Sequence, residues 1–195
     1  MKNKTGLVIG VIVVVLAIWC YSAYNGLVEK QESATTALSN VQATYQRRAD
    51  LIPNLVNTVK GYATHERETF EAVTKARNAA TQVHLDAADA TPEKLAQYQK
   101  AQGDIAAALS RLIAVSERYP DLKANENFKD LQIQLEGTEN RINEARQKYN
   151  AQVQVYNVAV RKFPNNILAG IFGFERMSKF EADAGAQKAP AVNFE

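Results

Sequence analysis

The sequence predicts an all-α protein: a single N-terminal transmembrane helix continuing into an antiparallel up-and-down four-helix bundle. Three observations carry this reading. The stretch Gly6 to Tyr24, GLVIGVIVVVLAIWCYSAY, holds no charged residue. Beyond it glycine and proline are scarce, while Ala, Gln, Glu, Lys, Arg and Leu dominate, a helix-forming composition. Apolar residues there recur at alternating spacings of three and four, the period of an amphipathic helix.

Residues 1–5 form a short N-terminal segment, and 6–24 the spanning helix. A helix rising about 1.5 Å per residue needs roughly 20 residues to cross a hydrocarbon core of about 30 Å. Such a run satisfies its backbone polar groups in lipid only as a helix. The alternative, a cleaved signal peptide, has a shorter apolar core ending in small residues, whereas Trp19 and Tyr21 suit interface anchors. Lys2 and Lys4 precede the span and only Lys30 lies close after it, so the positive-inside rule puts the following domain outside the cytoplasm. Cys20 is the only cysteine, which excludes an internal disulfide and multi-cysteine metal sites. The bulky Ile18-Trp19 before it argue against lipidation and for an inert, membrane-buried thiol.

Residues 25–163 are expected to form the bundle. The first stripe runs through Leu27, Gln31, Ala34, Leu38, Val41, Tyr45 and Arg48. Asp50 then caps a second helix with Pro53 in its first turn, where a missing N–H is harmless. Its stripe is Ile52, Leu55, Val59, Tyr62, Glu66, Phe70 and Val73, fading toward Val83. The alternative is one kinked helix through Pro53 and a longer three-helix rod. It is disfavoured because an interior proline costs about 3 kcal/mol and so long a helix would outrun its partners. Residues 85–90 read as a connection, and Thr91-Pro92-Glu93 as a helix start. Helix three carries Leu95, Tyr98, Gln102, Ile105, Leu109, Leu112 and Ser116, and ends at Tyr119-Pro120. Helix four runs from about Asn125 to Phe163, with Phe128, Leu131, Leu135, Thr138, Ile142, Ala145, Tyr149 and Tyr156 on one face. Residues 164–182, with Ile167, Leu168, Ile171, Phe172 and Phe174, form an apolar amphipathic segment expected near the membrane or a subunit interface. Residues 183–195 are an extended or disordered tail, in which Val192 and Phe194 alternate as a docked strand would.

The chemistry-bearing residues are few. With the basic pair before the span set aside, charge is balanced, and nothing suggests a surface for nucleic acid or anionic lipid. His65-Glu66 begins like a zinc-protease motif, but position 69 is Thr and the other histidine, His84, lies far along the chain. No glycine-rich phosphate loop and no nucleophile elbow is present. No catalytic residue, cofactor, metal or small-molecule substrate is expected. Arg48 and Glu66 fall on apolar stripes, and Glu139 and Arg146 flank one. Buried charge requires a partner, so these four are read as a structural ion-pair network, the alternative being a polar binding site inside the bundle. Tyr24-Asn25, Tyr149-Asn150 and Tyr156-Asn157 would meet at the membrane end of such a bundle as a hydrogen-bonded collar.

The chain resembles the bacterial LemA family in Tyr45-Gln46-Arg47-Arg48-Ala49-Asp50-Leu51-Ile52-Pro53-Asn54-Leu55-Val56. The resemblance extends to Tyr24-Asn25-Gly26-Leu27-Val28, Glu117-Arg118-Tyr119-Pro120-Asp121-Leu122-Lys123-Ala124, Phe163-Pro164 and Ala189-Pro190-Ala191-Val192-Asn193-Phe194. Trp19 before Cys20 departs from it, since many relatives carry a lipoprotein signal there. The resemblance implies a single-pass protein of the bacterial plasma (inner) membrane with no established catalytic residue or cofactor. It supports a scaffold or partner role in general terms, and the leading expectation is a non-enzymatic scaffold acting by homo-oligomerisation or partner binding. The alternative is an accessory subunit of a membrane protease or other envelope enzyme, with an envelope protease or stress protein as partner.

Overall fold

Pro53 does not end the first helix. In a computed structural model, which describes residues 2–86 and 90–181, α1 runs without a break from Lys2 to Lys60. At about 1.5 Å per residue it is on the order of 90 Å long. The expected cap at Asp50 is therefore corrected: the chain turns at residues 61–66, and α2 spans Arg67–Gln82. The physical reason is a side chain from α2. Proline at 53 leaves the carbonyl of Ala49 without its i+4 donor, and Arg77 Nε donates to that oxygen at 2.9 Å. The lost helix bond is replaced by a tertiary one.

The Gln42 side-chain amide donates to the Leu85 carbonyl beyond α2, and α3 covers Pro92–Val115. Its start is the one the sequence predicts, with the Thr91 hydroxyl accepting from Lys94 N at 3.3 Å. A short 3-10 turn at Ser116–Arg118 leads to α4, Pro120–Ala124. The Asn125 side chain then caps α5, Glu126–Arg161, accepting from Phe128 N at 2.9 Å. Phe163-Pro164 is a cis peptide, and α6 spans Asn165–Phe172. Gly173, at φ 72°, occupies the left-handed region that a β-carbon would strain, and it turns the chain into an extended strap, residues 174–181. No strand occurs among the described residues.

Pairwise contacts fix the directions. Lys60 lies over the Phe70 ring and Arg77 reaches Ala49, so α2 runs against α1. Tyr45 meets Tyr98 and Arg48 meets Gln102, so α3 runs with it. Arg48 meets Glu139, and Leu27 shares a cluster with Tyr156, so α5 returns along α1. One core cluster, including Leu55, Val59, Phe70, Leu112 and Phe128, fills the end far from the apolar run. A second, with Leu38, Val41, Tyr98, Ile142 and Val153, fills the middle, and Leu27, Tyr156, Val160 and Ala169 close the near end. Residues 6–18 of α1 stand clear of the domain, every one of them exposed.

Candidate functional site

Two polar constellations cross the domain. At mid-height Arg48 is 2% exposed although it carries a charge. Its Nη1 donates to Glu139 Oε1 at 2.7 Å, and Nη2 donates to the carbonyl and side-chain oxygens of Gln102 at 2.9 and 2.8 Å. The guanidinium also lies 5.1 Å from the Tyr45 ring centroid, and Tyr45 meets Tyr98 edge-on at 5.5 Å. Burial pushes the Tyr98 phenol well above its usual range, the neighbouring Tyr45 adds to this, and Arg48 partly opposes it. The arrangement joins α1, α3 and α5 at one level, so it fixes their register. Glu139 keeps 41% of its side chain exposed, which leaves the pair lopsided: a buried cation with a half-hydrated anion.

The four expected charges do not form one network. Glu66 accepts from Arg118 Nη2 at 3.0 Å and from the Tyr119 hydroxyl at 3.2 Å, at the far end of the domain. Arg146 donates to the carbonyl of Glu181 at 2.8 Å and covers the Phe180 ring at 5.4 Å. The reason is height along the domain: Glu66 lies beyond the end of α1, and Arg146 lies two turns of α5 from Glu139, about 10 Å. Sequence reading missed Gln102, Tyr45 and Arg77 as polar participants, because two of them sit on apolar stripes where packing accounts for them equally well.

The second constellation corrects the expected collar. Asn150 and Asn157 do not meet Tyr24-Asn25; they hold the strap. Asn157 donates Nδ2 to the Met177 carbonyl at 2.8 Å and accepts from Met177 N at 2.9 Å. Asn150 does the same with Phe180, at 2.9 Å in both directions. A carboxamide offers a donor and an acceptor side by side, as a peptide does, so each Asn acts as one rung of a strand partner. The register closes because a heptad on a helix rises about 10.5 Å, while three extended residues cover about 10 Å. The Tyr149 hydroxyl donates to the Ser178 carbonyl at 2.8 Å, and its ring meets Phe180 edge-on at 5.3 Å. Burial pushes the Tyr149 phenol up to about 12. Tyr156 is fully buried, with its hydroxyl unpaired among the described residues. Tyr24 packs edge-on against Phe172 at 5.0 Å and Phe174 at 5.6 Å, and Asn25 is exposed. The residue signal for the strap was present as the Asn repeat, but its partner segment has no periodicity of its own.

Along the opposite side of the α1–α5 pair, away from the strap, runs an open groove of about 1140 Å³. Ala37, Ala43 and Ala145 lie along it, with Glu29 and Glu32 toward the apolar run and Arg47 and Arg141 toward the far end. Among the described residues no three His, Cys, Asp or Glu side chains gather as a metal site. The expected tail, residues 183–195, lies outside the described residues.

A helix long and apolar enough to cross a membrane, continuous with a packed helical domain, defines a membrane-anchored helical protein. The chain belongs to the LemA family, whose model matches residues 37–194. It is 31% identical over 184 residues to the magnetosome protein MamQ of Magnetospirillum gryphiswaldense, covering 83% of this chain and 66% of that one. MamQ 1 of Paramagnetospirillum magneticum is 31% identical over 175 residues, covering 81% and 64%. The LemA protein of Metamycoplasma hominis is 26% identical over 159 residues, covering 81% and 68%. The chain thus spans just under two thirds of the length of its magnetosome relatives.

Proposed function

We propose that this protein is a non-enzymatic scaffold: a four-helix bundle held upright on one membrane span, presenting the α1–α5 groove to a second copy or to another protein. The observation that carries the reading is the single helix that forms both the span and one wall of that groove. With α1 continuous, the groove is fixed in height and orientation relative to the bilayer. Its floor of alanines admits close approach of another helix, and its charges, Glu29 and Glu32 near the membrane and Arg47 and Arg141 above with the Glu144–Lys148 ion pair between them, select the direction of that helix. The basic residues before the span support placing the domain on the non-cytoplasmic face of the bacterial plasma membrane.

A photo-crosslinking residue at the exposed Asn40 tests this in native membranes. A crosslinked dimer of the chain supports self-association. One discrete heavier product with another envelope protein supports the accessory-subunit reading. The absence of any protein product, with a probe at Lys94 as reference, would refute the groove as an interaction face.

A further inference from the structure

The foot of the domain carries an apolar surface that no part of the described structure covers. Phe163 is 76% exposed, Ile171 70%, Phe172 55% and Ile167 54%. On a monomeric domain in water, a cluster of four large apolar side chains marks an interaction site. Its position identifies the occupant. Phe172 lies against Tyr24, at the end of the spanning stretch, and α6 is seated on the cluster of Leu27, Tyr156 and Val160 just above it. A helix fixed beside the end of a membrane span lies at the bilayer surface.

A second feature adjoins it. Arg161 and Lys162 at the end of α5, with Arg176 and Lys179 of the strap, line one groove together with Gln154, Asn157 and Val158. No carboxylate lines that groove, and none of the four cations forms an ion pair among the described residues. Lys179 instead donates to Gln154 Oε1 at 3.3 Å. The balanced charge of the whole chain concealed this cluster, because its members come from two segments joined only by the fold.

We propose that the foot docks on the bilayer, with Phe163, Ile167, Ile171 and Phe172 entering the interface and the Arg161–Lys162–Arg176–Lys179 groove taking the phosphate of an anionic phospholipid headgroup. The pattern is that of an interfacial helix, with apolar residues in the acyl boundary and cations at headgroup level. The inference rests on anchoring by α1 but not on what the α1–α5 groove holds, so crosslinking at Asn40 and lipid binding fail separately.

Two measurements on the full chain test it. In Trp19→Phe/Phe172→Trp protein in phosphatidylcholine vesicles with brominated acyl chains, the introduced indole is expected to be quenched. Emission unchanged from unbrominated vesicles would overturn the docking. Detergent-extracted protein is then offered equimolar phosphatidylglycerol and phosphatidylcholine, and the retained lipid is read by native mass spectrometry. Arg176→Gln/Lys179→Gln removes two of the four cations that separate an anionic from a zwitterionic headgroup, so it is expected to lose most of the phosphatidylglycerol preference. Both residues are exposed, and neither has a core contact to lose. Unchanged preference in that variant would overturn the headgroup site. Excess inorganic phosphate is expected to leave the lipid bound; displacement by phosphate alone would make this a soluble-anion site and overturn the lipid assignment.

Discussion

Pro53→Ala and Arg77→Ala should not act independently, although the two positions lie on different helices. Proline in a helix interior costs about 3 kcal/mol relative to alanine, partly by ring clash and partly by the orphaned carbonyl. Here that carbonyl, on the buried Ala49, receives Arg77 Nε at 2.9 Å. A buried acceptor left unpaired costs about 1–3 kcal/mol. Arg77→Ala alone should therefore destabilise by about 1–2 kcal/mol, with the lower end favoured because Arg77 is only half-buried. Pro53→Ala restores the N–H that bonds the Ala49 oxygen from within α1. In that background Arg77→Ala should lose only a few tenths of a kcal/mol, giving a coupling of about 1 kcal/mol. For a domain of this size that corresponds to a Tm difference of roughly 2–4 °C. Thermal unfolding of the four detergent-solubilised proteins, followed by far-ultraviolet circular dichroism, measures the cycle. Additive effects within about 0.3–0.5 kcal/mol would show that Arg77 does not carry the carbonyl that Pro53 frees.

The remaining predictions concern the two polar constellations. Glu139→Ala should lower Tm more than Arg48→Met, because it strands a charge that is 2% exposed, at about 3–5 kcal/mol. Arg48→Met leaves Glu139 in partial contact with water and mainly orphans Gln102, at about 1–3 kcal/mol; the reverse order would refute the lopsided pair. Asn157→Asp removes the donor to the Met177 carbonyl and places an anion beside it, so the strap should become accessible to limited proteolysis while the helices stay protected. Asn157→Asp protein cleaved no faster within residues 174–181 than the parent would refute the claim that the carboxamide rungs hold the strap.

Much of this protein was legible in the sequence, because local chemistry decided it. The uncharged run from Gly6 to Tyr24 has only one way to satisfy its backbone in lipid. Thr91-Pro92 and Asn125 start helices through their own side chains and their immediate neighbours, so the caps needed no tertiary partner to be read. The apolar stripes named many of the core residues, among them Leu27, Leu38, Leu55, Leu112 and Tyr156, because a period of 3.6 puts them on one face whatever they pack against; Tyr62, on the second stripe, is 42% exposed because α1 ends at Lys60 before reaching it.

Tertiary structure decided the rest where residues distant in sequence supply the missing bond. Nothing near Pro53 tells that the helix continues, since the donor that permits it is Arg77 of the next helix. Arg48, Glu66 and Arg146 looked alike as charges on or beside stripes, and only the packing height of each helix assigned them to three separate sets of partners. The Asn150 and Asn157 repeat was visible, but a carboxamide pairs equally well with any main chain. The return of residues 174–181 along α5 chose which one. Composition fixes what a segment can become, because propensity and burial act along a few neighbouring residues. Which carbonyl, carboxylate or lipid face meets which side chain depends on the path of the whole chain.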